Sequence, residues 1–153
     1  VWDGQTCSRL LAARPQLHLI LVDRWEPPKP NDSYATSGAK IAAHPQSRHT
    51  EAYNRTMKSI APYMDRVLIL KGDSVPMAEN IEDNSIDFVF IDGDHSEEGV
   101  SKDIKAYLPK IKKGGFLSGH DWNGKWGTEK GVLQHFKRER VSLDANSTWF
   151  ISV

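Results

Sequence analysis

Ser85-Ile86-Asp87-Phe88-Val89-Phe90-Ile91 followed by Asp92-Gly93-Asp94-His95 reads as an apolar strand that ends on a cluster of ionisable groups. Directly after it, Glu97–Ile111 carries Val100, Ile104, Leu108 and Ile111 on one side at helical spacing. Lys112-Lys113-Gly114-Gly115 then has the composition of a helix C-terminus, cations at the negative dipole end and glycine for the turn. Phe116-Leu117-Ser118-Gly119 returns as a strand and ends at His120-Asp121-Trp122-Asn123. Strand, helix, strand in this order is a βαβ unit, whose two strands run parallel and place both ends on one side.

Working outward, the same alternation covers the chain. Gln5–Ala13 predicts a helix closed by Pro15, and Leu17–Val22 a strand ending at Asp23. Glu26–Gln46, rich in Pro, Ser and Gly, predicts a long loop of the kind that lids or binds. His49–Tyr63 is helical, Arg66–Leu70 a strand stopped by Gly72-Asp73-Ser74, and Val75–Asn80 a helical turn. Lys130–Arg138 is a helix and Thr148–Val153 a closing strand. The expected architecture is α/β, a three-layer and mostly parallel sheet formed by residues 1–153 as a single domain.

Composition narrows the function classes. Twenty Lys plus Arg balance twenty Asp plus Glu, which argues against a chain held to nucleic acid or anionic lipid by bulk charge. The single cysteine, Cys7, excludes an internal disulfide and a cysteine-rich zinc site, and reads as a small core residue. The apolar runs are strand-sized, too short for a bilayer, and no signal peptide is recognisable. A cytoplasmic protein without membrane or nucleic-acid partners is expected, and a homo-oligomer is compatible with the sequence.

Four strands ending in acids or small polar groups is the informative pattern, because ligands of open parallel sheets bind beyond the carboxyl ends. Gly4, opening the first helix, lets backbone approach a ligand; its plain alternative is a turn with Thr6 as helix cap. The G-x-G-x-x-G dinucleotide spacing is absent. Asp23 follows Gly4 at about the distance of an acid that accepts two ribose hydroxyls, and its charge disfavours a 2′-phosphate; the alternative is a solvated acid or a partner of Arg24. Gly72-Asp73-Ser74 suits either an adenine edge or an ordinary turn. Asp92 and Asp121 end strands expected to be neighbours, so their carboxylates could share a divalent cation, with His95 and His120 nearby; the alternative is that Asp94 and Asp121 simply cap turns or helices. His95 is the candidate general base, or else a helix-leading histidine packed near Glu97 and Glu98. Trp25, Trp122 and Trp126 are candidate aromatic walls, or ordinary packing.

The segments Phe88–Ser96 and Gly114–Asp121, with Gly99–Ile104 and Gly131-Val132, resemble class I S-adenosylmethionine-dependent methyltransferases, and among them the cation-dependent O-methyltransferases. The resemblance implies a Rossmann-like methyltransferase sheet, mostly parallel with an antiparallel closing strand. It implies that Gly4 and Thr6 hold the methionine part of S-adenosylmethionine, Asp23 the ribose, Asp73 and Ser74 the adenine side, and that Asp92 lies beside the sulfonium. Asp92 and Asp121 would bind magnesium or another divalent cation, and His95 would help deprotonate the hydroxyl of a small-molecule acceptor. Where the catechol-type enzymes carry Asn after the second acid, this chain has Trp122, with Asn123 one place later. The family's first strand and its acid-x-glycine lead would precede Val1. Two rival readings stand beside this one: a nucleotide- or NAD-dependent α/β enzyme, and a non-catalytic module of the same fold.

Overall fold

The computed structural model describes residues 1–30, 32, 35 and 40–153, with Lys40 described by its backbone. The chain forms two compact units, residues 1–27 with 43–77 and residues 28–42 with 78–153.

In the first unit, helix α1 (Gln5–Ala13) leads to strand β1 (Leu19–Asp23), and helix α2 (Gln46–Ile60) leads through a 3-10 segment (Ala61–Arg66) to strand β2 (Val67–Lys71). β1 and β2 pair in parallel from Leu19↔Val67 to Asp23↔Lys71, so Asp23 and the Gly72-Asp73 turn share one end. Leu11, Leu21 and Ile60 form the buried centre. α2 starts three residues before the sequence boundary, since Gln46-Ser47-Arg48 continue the helix from Pro45; it ends where Pro62 removes a backbone donor. Helix α3 (Ser74–Ala78) follows β2, near the predicted turn.

The second unit orders its strands β3-β4-β6-β5: β3 (Ile86–Ile91), β4 (Ile111–Gly119), β5 (Ser142–Leu143) and β6 (Trp149–Ser152). β3 and β4 are parallel, with Ile91 opposite Gly119, while β6 runs antiparallel to both β4 and β5. The expected antiparallel closing strand is present; β5, two residues long, has too little pattern to be read. Helix α4 (Glu97–Tyr107) is capped by Ser96, whose Oγ accepts from the Gly99 N–H at 3.0 Å. Val100 and Ile104 of α4 and Val132 of helix α5 (Thr128–Leu133) pack with Ile91, Leu117, Trp149 and Ile151 into the core. Phe88, Phe90, Phe116 and Phe150 point the other way and are about half exposed.

Two boundaries are corrected. Lys112-Lys113-Gly114-Gly115 does not cap α4. The helix stops at Tyr107 because Pro109 follows, and these four residues lie inside β4, in the irregular stretch between the Ile86↔Ile111 and Phe88↔Phe116 pairs. The helix predicted over Lys130–Arg138 runs over Thr128–Leu133, with a separate 3-10 turn at Arg138–Arg140. Of the predicted lid over Glu26–Gln46, Lys40–Ala43 is a 3-10 turn and α2 begins at Gln46; residues 31, 33, 34 and 36–39 lie outside the described residues.

Candidate functional site

The carboxyl ends of β1 and β2 carry the first group. Gly4 sits at φ +75°, and a Cβ there would come within 2.8 Å of Thr56 Cα and 2.5 Å of Ser59 Oγ. Backbone sign and backbone space therefore both demand glycine, on structural grounds. Thr6 does not cap α1: no side chain caps at Gly4, and Asp3 Oδ1 takes the Gln5 N–H at 3.4 Å, because Asp3 lies just ahead of the helix and Thr6 already lies within it. Trp2 is clamped between elements. Its carbonyl accepts from Trp25 Nε1 at 3.1 Å and Thr56 Oγ1 at 3.2 Å, and its ring lies against His44 and, edge-on, His49.

Asp23 Oδ1 accepts the Trp25 N–H at 2.8 Å. Arg24 is not its partner. Arg24 reaches Asp73 Oδ1 at 3.1 Å and the Pro27 carbonyl at 2.8 Å, which binds the ends of β1 and β2 together. Asp23, Asp73 and Ser74 are thus gathered at one end of this unit. Trp25 is 1% exposed and packs on Tyr53, so it is core, not a ligand wall. Burial holds the His49 imidazole below its ordinary pKa, opposed by the Asp23 charge, and raises the Cys7 thiol, in keeping with a core cysteine.

The ends of β3 and β4 carry the second group. Because Ile91 and Gly119 are register partners, Asp92 and the His120-Asp121 pair emerge side by side. Donor atoms of Asp92, His95 and Asp121 all lie within 4.8 Å of one another. His95 Nδ1 stands 3.1 Å from Asp121 Oδ2, and both side chains are more than four-fifths buried. His120 Nδ1 stands 3.4 Å from Asp121 Oδ1 and 4.0 Å from Asp92 Oδ1. Asp121 therefore lies between two imidazoles. It adopts φ +63°, a left-handed backbone that Asp tolerates better than most residues, held by the Trp122 N–H on the Ser147 carbonyl at 3.0 Å. Trp126 lies 5.9 Å from the His95 ring, and the Gly127 N–H bonds the His95 carbonyl at 2.9 Å, so the start of α5 seats this histidine. Asp94 Oδ1 accepts the Ser96 N–H at 2.9 Å, the turn-capping role that the sequence left open for it.

His120 is legible in the sequence by its place beside Asp121 at a strand end. Asn146, whose carbonyl accepts from His120 Nε2 at 2.9 Å, is not. That contact comes from a distant turn and has no local pattern.

The family model described as a methyltransferase domain matches residues 1–122. No curated protein sequence matches the chain significantly. Among solved structures, the O-methyltransferase NovP aligns at TM-score 0.70 and 16% identity over 99% of this chain and 68% of its own. CalS11, a calicheamicin methyltransferase, aligns at TM-score 0.67 and 13% identity over 96% of this chain and 66% of its own. The S-adenosylmethionine-dependent methyltransferase SibL aligns at TM-score 0.57 and 14% identity over 99% of this chain and 47% of its own. The chain thus spans about two thirds of the first two and half of the third, and at these identities the likeness establishes a Rossmann-like α/β fold. Among the described residues no helix is long and apolar enough to cross a membrane.

Proposed function

The chain belongs to this methyltransferase-domain family, and on that premise we propose that it transfers a methyl group from S-adenosylmethionine to an oxygen of a small molecule, in the manner of the cation-dependent O-methyltransferases. The observation that carries the reading is the convergence of Asp92, His95 and Asp121 at the ends of two parallel strands. S-adenosylmethionine, when bound, supplies a methyl carbon already activated by its sulfonium. The chain's own tasks are then alignment and removal of the acceptor proton.

The donor-side residues are those of the first unit. Asp23 offers carboxylate acceptors for ribose hydroxyls, Asp73 and Ser74 suit the adenine edge, and the Gly4–Thr6 turn suits the methionine part. In the second unit Asp92 and Asp121 fit a divalent cation, since converging carboxylate oxygens are a recurring donor set for one. Asp92 and Asp121 would hold such a cation, magnesium or another, and the chemistry it would supply is a lowered pKa at the acceptor hydroxyl. His95 takes the proton, its ring oriented by Asp121 Oδ2 at 3.1 Å from Nδ1. The acceptor class is a sugar, a phenol or a related hydroxyl; one structural neighbour is described as a TDP-rhamnose 3′-O-methyltransferase.

Calorimetric titration with S-adenosylmethionine, S-adenosylhomocysteine and NAD, with and without magnesium, tests the proposal. Heat from the first two and none from NAD is expected. Heat from NAD alone transfers the chain to the nucleotide-enzyme reading, and no heat from any leaves a non-catalytic module.

A further inference from the structure

Helix α4 buries four side chains, Val100, Asp103, Ile104 and Tyr107, and one of them is an acid. Val100 and Ile104 belong to the core with Ile91 and Leu117, while Asp103 is 7% exposed on the same stripe. Among the described residues it is the most deeply buried carboxylate. Taking a carboxylate out of water is costly, and exchanging buried charge for well-packed apolar side chains is often neutral or stabilising. Stability alone is a poor reason for an acid here. What Asp103 faces supplies a better one.

It faces the turn that joins β3 to α4. A methyl group built on Gly93 would come 3.7 Å from Asp103 Oδ2, so the carboxylate lies directly beneath that residue. One helical turn earlier, Gly99 clears the space that Asp94 fills: a Cβ there would fall 2.6 Å from Asp94 Cβ. Positions 99 and 103 are i and i+4 on one helix face, so α4 seats two successive residues of the turn. Asp94 Oδ1 takes the Ser96 N–H and Ser96 Oγ takes the Gly99 N–H, which ties the end of the turn to the same helix. On either side of this seat stand Asp92 and His95, whose donor atoms meet those of Asp121.

We propose that Asp103 is a positioning residue: from beneath Gly93 its buried carboxylate fixes the Gly93-Asp94 seat and so holds Asp92 and His95 in place against Asp121. The part these residues play in methyl transfer rests on the reading above; the positioning itself does not. Misplacing a reacting group by about 1 Å can cost about a hundredfold in rate, so such a support governs turnover without touching the acceptor.

Two-dimensional proton NMR of the intact chain reads the seat through the His95–Trp126 ring contact, whose centroids lie 5.9 Å apart. The Trp2–His49 contact, 5.2 Å between centroids, is the internal control. Asp103→Asn keeps the shape and removes the charge. In it the His95–Trp126 cross-peak is expected to lose more than about half its intensity, for which a shift of about 1 Å suffices, while the control stays. An unchanged His95–Trp126 cross-peak in a folded Asp103→Asn protein overturns the proposal, and so does an equal loss at both contacts. Should Asp103→Asn not fold, as its circular dichroism melt would reveal, Asp103→Glu carries the test. It keeps the charge and drives the carboxylate one methylene further toward Gly93, so His95 is expected to move, and an intact His95–Trp126 contact overturns the proposal. Calorimetry with S-adenosylhomocysteine on the same samples separates the two readings. Its binding with an unmoved His95 sinks this inference alone, whereas a displaced His95 in a chain that never binds it sinks the methyl-donor reading alone.

Discussion

The chain carries two pairs of strand-end acids that look alike in sequence and differ in what surrounds them. At β1 and β2 the acids are tied to groups of their own unit: Asp23 accepts the Trp25 N–H and Asp73 meets Arg24. At β3 and β4, Asp92 and Asp121 face imidazoles. The first arrangement fixes its carboxylates in place, which suits them to accept from neutral hydroxyls. The second sets carboxylates beside imidazoles, and on the proposed function it is the end where the acceptor reacts. An acid after an apolar strand therefore marks a position; the neighbouring elements decide its role.

The widest gap between the two regions should appear in turnover. His95→Ala is expected to lower kcat by about 100-fold to 10,000-fold, the range for a lost general base, with S-adenosylhomocysteine affinity unchanged by calorimetry. Equal losses in both quantities would erase the distinction. Next in size, Gly4→Ala must place a methyl group against Thr56 at φ +75°, and is expected to cost about 2–4 kcal/mol in urea unfolding. A Gly4→Ala protein of unchanged stability would show that this glycine serves a ligand alone. Asp23→Asn sharpens the comparison from the donor side: it should weaken S-adenosylhomocysteine about tenfold to a hundredfold while Mn²⁺ binding stays the same.

The smallest effect is in pH. His49 is buried and its folded pKa lies below the ordinary 6.5, so the unfolded chain binds the proton more readily. Stability should hold above about pH 6.5 and decline as pH falls from there toward the folded value. His49→Gln is expected to flatten that part of the melting-temperature profile and leave the neutral region nearly level. A profile unchanged by the substitution would place the acid sensitivity elsewhere.

Much of this could be read from residues alone, for a physical reason. A strand such as Phe88–Ile91 and a helix such as Glu97–Tyr107 write their period locally, and the turn that closes each strand puts its acid at a predictable end. Lys112–Gly115 misled because cations and glycines suit a helix terminus and an irregular strand equally well; Pro109, three residues earlier, held the deciding information. Trp25 as a wall failed because its indole found a partner 23 residues back in Trp2, a pairing no local pattern encodes. The Asn146 carbonyl on His120 is of the same kind, 26 residues away. Proximity across the chain is what sequence period does not report.

The backbone at Asp121 sets two selective pressures against each other. Glycine adopts a left-handed turn more readily than aspartate does, but here it would remove the carboxylate that meets His95 and His120. A lineage that no longer needs the carboxylate should shed it here early, which makes position 121 a marker by which working copies can be told from retired ones.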